Sequence, residues 1–168
     1  LTVFISGAGR GIGRATSEKL LSRGYTVGVF DISGDQKWAA DHQNAVVGTL
    51  DVTNPQQWED ALKQFVDRAG RLDVLINNAG ILYGTPFEEG SYEQDNALID
   101  VNVKGVHFGC RAALPYLKGS RGQVINLCSA SAIYGTPDMA TYSATKFAVR
   151  GITAVSYTHL TLPTNREV

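Results

Sequence analysis

A tyrosine and a lysine stand four residues apart in the segment YSATK, residues 142–146. Residues four apart share one face of a helix, so the phenol of Tyr142 and the ammonium of Lys146 can address one site. A free phenol has a pKa near ~10, and a neighbouring cation favours its ionised form. A drop of ~2–3 units would bring that pKa toward the working pH, where general acid–base transfer is most effective. The pair therefore fits proton transfer, although the same spacing is common on solvated helix faces.

A glycine-rich segment, SGAGRGIG at residues 6–13, follows an apolar run and opens a helical pattern. Its spacing is G-x-x-x-G-x-G, with Gly9 as an extra glycine, and not the G-x-G-x-x-G of many dinucleotide sites. Glycines permit a tight turn and let the backbone approach a phosphate, which the free N–H groups of the helix start attract. The segment predicts a pyrophosphate cradle, with a plain flexible turn as the alternative.

Short apolar runs alternate with longer amphipathic stretches along the chain. The predicted strands are 2–6, 26–30, 45–50, 73–77 and 123–128, and the predicted helices are 11–23, 35–41, 55–69, 92–117 and 141–154. The runs show little alternation, which is typical of strands covered on both faces. Asn54 suits an N-cap, Pro55 the first helical position and Gln57 a capping box. This pattern predicts an α/β fold with a doubly wound parallel sheet of the Rossmann kind.

Polar residues follow each of the five runs. They are Ser6 with Gly7, Asp31, Asp51, Asn77 with Asn78, and Ser129. In parallel sheets ligands bind at the carboxyl ends of the strands, so we expect a binding edge there. Asp31 lies close to the offset of a ribose-binding carboxylate, which would repel a 2′-phosphate and favours NAD over NADP. Arg10 is a signal for NADP, because a guanidinium can hold a phosphate.

The composition excludes several classes of protein. The 168 residues carry a formal net charge of −1 and a pI near 6.3, which suits one soluble domain. This near-neutral net charge gives no sign of a basic surface for nucleic acid or an anionic membrane. No apolar run reaches the ~18 residues of a membrane span. Cys110 and Cys128 form no C-x-x-C pair, so we interpret both as buried small hydrophobes and expect neither a metal nor a redox role. We expect a cytoplasmic protein.

The order of SGAGRGIG, NNAG (residues 77–80) and YSATK resembles the short-chain dehydrogenase/reductase family, in its compact single-domain branch. The resemblance covers about residues 2–154. It implies the strand order 3-2-1-4-5 and an NAD(P)-dependent oxidoreductase that acts on a small secondary alcohol or ketone. It also implies that the full-length parent forms a homodimer or homotetramer.

The resemblance further implies a role for each matching residue. The catalytic residues are Asn102, Ser129, Tyr142 and Lys146. Ser129, preferred over Ser131, fixes the substrate oxygen, Tyr142 exchanges its proton, Lys146 holds the cofactor ribose, and Asn102 orders a relay water. The cofactor-binding residues are Ser6, Gly7, Arg10, Gly11, Ile12, Gly13, Asp31, Asp51, Val52, Asn78, Ala79, Gly80, Tyr142 and Lys146, with Asn77 bracing the sheet centre.

Residues 155–168, VSYTHLTLPTNREV, carry β-branched residues and no helical stripe, so we expect the last helix to end near residue 154. The string resembles a translated sequencing adapter. We therefore interpret residues 1–154 as a partial Rossmann domain without the family's last two strands and substrate lid, and residues 155–168 as a non-native tail. The fifth strand would then present an unpaired edge, and we expect this chain as written to be poorly stable and largely inactive.

Two other interpretations of function stay open. One is a regulator or scaffold that binds a dinucleotide without chemistry, since a fold alone does not give a function. Such binders usually lose the tyrosine or the lysine, and here both are present. The other is an inactive fragment. The substrate and the direction of the reaction cannot be inferred from the residues.

Overall fold

The computed structural model describes the backbone of residues 1–160 and the side chains of residues 1–155. One parallel sheet contains β1 (Thr2–Ser6), β2 (Thr26–Asp31), β3 (Ala45–Thr49), β4 (Val74–Asn77) and β5 (Gln123–Asn126). The helices are α1 (Gly11–Leu21), α2 (Pro55–Ala69), α3 (Tyr92–Ile99), α4 (Val106–Ser120) and α5 (Ala140–Leu160). The strand order is β3-β2-β1-β4-β5, so the predicted fold class and strand order are confirmed.

The register of the sheet brings the ends of four strands to one edge. Ser6 at the end of β1 pairs with Phe30 of β2 and with Asn77 of β4, and Asn77 pairs with Asn126 of β5. The loops that follow these strands therefore start side by side. This alignment places the predicted polar residues along a single rim.

Apolar packing on both faces holds the centre of the sheet. On one face Phe4 stacks on Phe30 with ring centroids 4.5 Å apart, and it also contacts Trp58 and Phe65 of α2. On the other face a second cluster of buried aliphatic side chains includes Val3, Ile5, Val27, Val29 and Leu21 of α1. All five residues of β1 are buried, as the lack of alternation in its sequence predicts.

The start of α2 differs in one respect from the prediction. Asn54 caps the helix as expected, since its side chain accepts hydrogen bonds from the N–H groups of Gln56 and Gln57. The prediction of a capping box is wrong, because the Gln57 side chain accepts a hydrogen bond from the N–H of Asp51 at 2.7 Å and not from that of Asn54. Gln57 therefore ties the start of α2 to the end of β3.

Other boundaries also differ from the prediction. Segment 35–41 forms a 3₁₀ turn over Asp35–Ala39, and a π-helical turn over Asp100–Gly105 divides the expected helix 92–117 into α3 and α4. The expected end of the last helix at residue 154 is wrong, because α5 runs to Leu160. Residues 161–168 of the expected tail lie outside the described residues. Within residues 1–160, no helix has both the length and the apolar character needed to cross a membrane.

The strand β5 is also an exception to the expectation that every strand is covered on both faces. Gln123 and Ile125 are exposed, and Val124 and Asn126 are partly buried. In the described part of the chain, β4 is the neighbour of β5 in the sheet, and β5 is an edge strand.

Candidate active site

A cavity of about 490 Å³ opens at the carboxyl edge of the sheet. Most of the predicted site residues line it, and they come from the loops after all five strands and from α5. These residues are Gly7, Arg10, Ile12, Asp31, Asp51, Val52, Asn78, Ala79, Gly80, Ser129, Tyr142 and Lys146. The predicted residues that do not line it are Ser6, Gly11, Gly13 and Asn102.

The glycine loop is tight and is fixed to the loop after β4. Gly7 has a φ of 66° and Gly11 a φ of 57°, which side chains rarely adopt. A Cβ on Gly13 would collide with the carbonyl oxygen of Gly7 and with the side-chain amide of Asn78. That amide donates to the carbonyls of Ser6 and Gly7 at 3.0 and 2.8 Å. Gly13 therefore shapes the cradle without facing the cavity.

Asp31 is 9% exposed and accepts several hydrogen bonds from its own surroundings. Its Oδ2 accepts from the N–H of Gly9 at 2.9 Å, and its Oδ1 accepts from the N–H and hydroxyl of Ser33 at 2.9 and 2.8 Å. Burial alone would raise the pKa of Asp31, but these hydrogen bonds together outweigh it and lower the pKa below its ordinary value. The carboxylate is therefore ionised at neutral pH.

Tyr142 and Lys146 lie on the first turns of α5 and face the same cavity. The Lys146 Nζ is 5.7 Å from the centroid of the Tyr142 ring, within the range of a cation–π contact. Lys146 is 7% exposed, and its Nζ donates to the carbonyl of Leu127 at 2.9 Å. Burial lowers the pKa of Lys146, and the nearby Cys128 thiol partly opposes that shift. A negative charge beside this ammonium would stabilise it.

The two serines of the segment after β5 have different surroundings. Ser129 lines the cavity, and its hydroxyl accepts from the N–H of Ser131 at 3.2 Å. Ser131 is buried outside that cavity, and its hydroxyl lies 2.8 Å from that of Thr136. The geometry therefore favours Ser129 as the serine that can meet a ligand.

Asn102 lies in the π-helical turn and is 1% exposed. Its Oδ1 accepts from the N–H of Ile81 at 2.9 Å, while its Nδ2 donates to the carbonyl of Ile81 at 2.9 Å and to the hydroxyl of Thr145 at 3.2 Å. The side-chain amide therefore connects the loop after β4 to α5 beside Lys146. Both amide hydrogens of Asn102 therefore already have acceptors within the protein.

The residues present fit a dinucleotide. The close approach of Gly7 and Gly13 leaves the loop without side chains where a phosphate would rest. The start of α1 has no side-chain cap, and Arg10 at that position lines the cavity. Among the described side chains, no group of three or more His, Cys, Asp or Glu could hold a metal ion.

The sequence matches the family model described as short chain dehydrogenase over residues 1–161. The chain belongs to the short-chain dehydrogenase family. It is 38% identical over 160 residues to L-2,3-butanediol dehydrogenase of Corynebacterium glutamicum, covering 89% of this chain and 62% of that protein. It is 37% identical over 154 residues to the 3-alpha-(or 20-beta)-hydroxysteroid dehydrogenase of Mycobacterium tuberculosis, covering 89% of this chain and 59% of that protein.

Two solved structures show the same fold. One from Burkholderia phymatum in complex with NAD superposes with a TM-score of 0.87 at 28% identity and covers 94% of this chain and 59% of that one. ElxO with NADP bound gives a TM-score of 0.88 at 28% identity, covering 95% of this chain and 67% of that one. This chain therefore spans about three fifths of the length of the relatives named above.

Several residues that line the first cavity of this short-chain dehydrogenase were not predicted from the sequence. They are Ile32, Leu50, Ile81, Leu82, Val101, Leu127 and Cys128. The interpretation of Cys128 as a buried hydrophobe is wrong, since its side chain is exposed, whereas Cys110 is partly buried. Position in the chain was the available signal for five of them, because all except Leu82 and Val101 lie within four residues of a predicted strand end.

A second cavity of about 380 Å³ was not predicted at all. It lies between the segment 83–98 and the start of α5, and Tyr142 lines both cavities. Besides Tyr142, its aromatic and acidic residues are Tyr83, Phe87, Glu88, Tyr92, Asp95 and Asp138. The sequence indicated only a loop leading into a helix here, because loop residues carry no periodicity that would show which side chains converge.

Proposed function

We propose that the protein is an NAD(P)-dependent oxidoreductase that interconverts a small secondary alcohol and a ketone, with Tyr142 as general acid and base. The observation that carries this proposal is that Ser129, Tyr142 and Lys146 line the same cavity as the glycine loop and Asp31. The relatives named above are called dehydrogenases of a diol and of hydroxysteroids, which supports chemistry at a CH–OH group. Those names differ in substrate, so the family alone does not identify one.

Different residues of the first cavity would bind different parts of the cofactor. A nicotinamide dinucleotide, when bound, supplies the acceptor or donor of hydride. The backbone of the glycine loop and the start of α1 would hold the pyrophosphate. Asp31 would accept from the ribose hydroxyls, and Asp51 with Val52 would contact the adenine end.

The chain's own residues move the proton. Tyr142 takes the proton of the substrate hydroxyl at its Oη during oxidation and returns it during reduction. Burial makes an isolated ammonium at Lys146 costly, and a negative charge that develops beside it would offset that cost. The hydroxyl of Ser129 donates to the substrate oxygen and fixes its position. Asn102 acts as a positioning residue through Ile81 and Thr145.

NAD is the proposed cofactor, in preference to NADP. The ionised Asp31 would repel a 2′-phosphate, and it lines the cavity at the end of β2. Arg10 works in the other direction, since it lines the same cavity and can pair with a phosphate. The related structures contain NAD in one case and NADP in the other, so they support a nicotinamide dinucleotide and leave the choice to these two side chains. The homodimer or homotetramer and the cytoplasmic location stay predictions.

The test uses the intact gene product with each cofactor and a panel of secondary alcohols. We expect Tyr142→Phe to lower turnover by ~100-fold or more, because it removes the proton donor and acceptor. Binding of NAD, measured by calorimetry, should change little. Tyr25→Phe is the matched control, since Tyr25 packs at the other end of the sheet.

Two outcomes would reject the proposal. Near-parent turnover by Tyr142→Phe would exclude Tyr142 as the acid and base. Tight binding of NAD without reduction of nicotinamide by any alcohol, in the parent protein, would favour the dinucleotide-binding regulator.

A further inference from the structure

The second cavity meets the first at one side chain. Tyr142 lines both, and it is the residue that they share. The substrate oxygen must come within hydrogen-bond reach of the Tyr142 Oη for a proton to move. Because the features that fit a dinucleotide lie in the first cavity, the part of the substrate that does not react would extend into the second.

We propose that the second cavity selects secondary alcohols whose non-reacting group is apolar and neutral or cationic, and that it rejects anionic ones. This inference depends on the proposed function of Tyr142. It concerns the three carboxylates and the aromatic side chains of the second cavity, to which the motifs of the sequence assign no role.

The apolar character comes from aromatic side chains that lie unusually open. Phe87 is 86% exposed and Tyr92 is 89% exposed, and Tyr83 and Met139 line the cavity beside them. Exposed aromatic side chains grouped around a concave surface are typical of ligand sites. A volume of about 380 Å³ holds roughly a dozen water-sized groups, which is enough for an aryl or cycloalkyl substituent.

The charge of the lining has one sign. Glu88, Asp95 and Asp138 line the cavity, and none of the lining residues is a lysine, arginine or histidine. Among the described side chains, the ion pairs are Arg14–Glu18, Lys63–Asp67, Arg71–Asp73 and Lys104–Asp100, so none of them neutralises these three carboxylates. The first cavity differs, because it contains Arg10 and Lys146 as well as acids. An anionic group would therefore meet negative charge without a lining cation in the second cavity, whereas Arg10 and Lys146 accompany the acids of the first.

The start of α3 does not offset this charge. Helix starts attract anions, but the first turn of α3 already contains Glu93 and Asp95, and the Ser91 side chain caps the N–H of Gln94 at 3.2 Å. The positive end of the helix dipole is thus satisfied by the protein itself.

A hydrogen bond between the two walls holds the cavity together. The N–H of Thr85 donates to the carbonyl of Asp138 at 2.7 Å, which joins the loop after β4 to the segment before α5. Asp138 has a φ of 58°, a conformation that aspartate and asparagine adopt more readily than most residues. The carboxylate of Asp138 therefore belongs to a fixed turn at the cavity wall.

The test compares three alcohols that carry a neutral, an anionic or a cationic substituent at the same position. They are 1-phenylethanols with a para methyl, a para carboxylate or a para aminomethyl group, offered to the intact gene product with NAD. We expect kcat/KM for the carboxylate to be ~10-fold or more below that for the methyl compound, because like charges repel at close range. The aminomethyl compound should equal or exceed the methyl compound. High salt should narrow both differences.

Variants assign the effect to the cavity. Glu88→Gln combined with Asp138→Asn should raise the ratio of carboxylate to methyl kcat/KM by several-fold. Asparagine keeps the turn at position 138 accessible. Glu59→Gln, on the exposed face of α2, is the control and should leave the ratio unchanged.

The outcomes separate this inference from the proposed function. Equal or better use of the carboxylate by the parent, or an unchanged ratio in the double variant, would overturn the inference and leave the oxidoreductase in place. Absence of nicotinamide reduction with all three alcohols and their ketones would count against both.

Discussion

Strands β1 and β5 support opposite rims of one cavity, and they are built differently. All five residues of β1 are buried, whereas Ile125 of β5 is 48% exposed. Apolar packing around Phe4 fixes the rim that carries the glycine loop. Polar hydrogen bonds support the rim that carries Ser129, since Asn126 accepts from Asn77 at 2.8 Å and donates to Thr153 at 3.0 Å. The rim with the features of a dinucleotide site is therefore anchored in the core, and the rim that would meet the substrate depends on side-chain hydrogen bonds.

The largest expected effect follows from that contrast. Phe4→Ala should lower the free energy of unfolding by about 3–5 kcal/mol, because it removes a fully buried ring that contacts three other aromatic side chains. Ile125→Ala should cost less than about 1 kcal/mol. Chemical denaturation of the two variants measures both values. Equal losses would mean that β1 and β5 are equally packed, and the comparison would be wrong.

A smaller effect is expected within the glycine loop. Gly13→Ala should lower the free energy of unfolding by about 1–3 kcal/mol and weaken NAD binding, because its methyl group meets the backbone of Gly7. Gly11→Ala is the matched variant, with a left-handed φ but open space around the new Cβ, and should cost about 1 kcal/mol. Calorimetry with NAD compares the affinities of the two variants for the cofactor. Tighter binding by Gly13→Ala than by Gly11→Ala would contradict a cradle shaped by close packing.

The polar rim has its own test in Asn126. Asn126→Ala removes the acceptor of Asn77 and leaves its buried amide without that partner, which costs about 1–3 kcal/mol. Turnover should fall more than NAD binding, since the change lies on the Ser129 side. Measurement of kcat and of the Kd for NAD separates these effects. A loss confined to NAD binding would reverse the assignment of the two rims.

The smallest expected effect concerns cofactor preference. Asp31→Ser should shift the ratio of NADP to NAD kcat/KM by about tenfold toward NADP, because it removes the charge that repels a 2′-phosphate. Asp35→Ser, at a nearby exposed carboxylate, is the control. A parent enzyme that already prefers NADP would show that Arg10 outweighs Asp31.

Features that depend on the periodicity of apolar residues could be predicted from the sequence. Features that depend on how several loops come together could not. Apolar runs gave the five strands, and their order followed from the family resemblance. The positions of Asp31 and the glycine loop followed from their places after strands. The unpaired edge of the fifth strand was expected, but the exposure of Cys128 was missed, because it depends on which side chains line the cavity. The bond from Gln57 to Asp51 and the second cavity depend on tertiary contacts between segments with no regular pattern.

The hydrogen bond from Gly9 to Asp31 has an evolutionary consequence. One carboxylate would bind the nucleotide under the proposed function, and the same carboxylate holds the bend of the glycine loop. A lineage that replaced Asp31 in order to use NADP would also leave the Gly9 N–H without its acceptor in the same substitution. Such a lineage would first need another acceptor for the Gly9 amide. We therefore expect cofactor preference to change rarely among close descendants, and by pairs of substitutions.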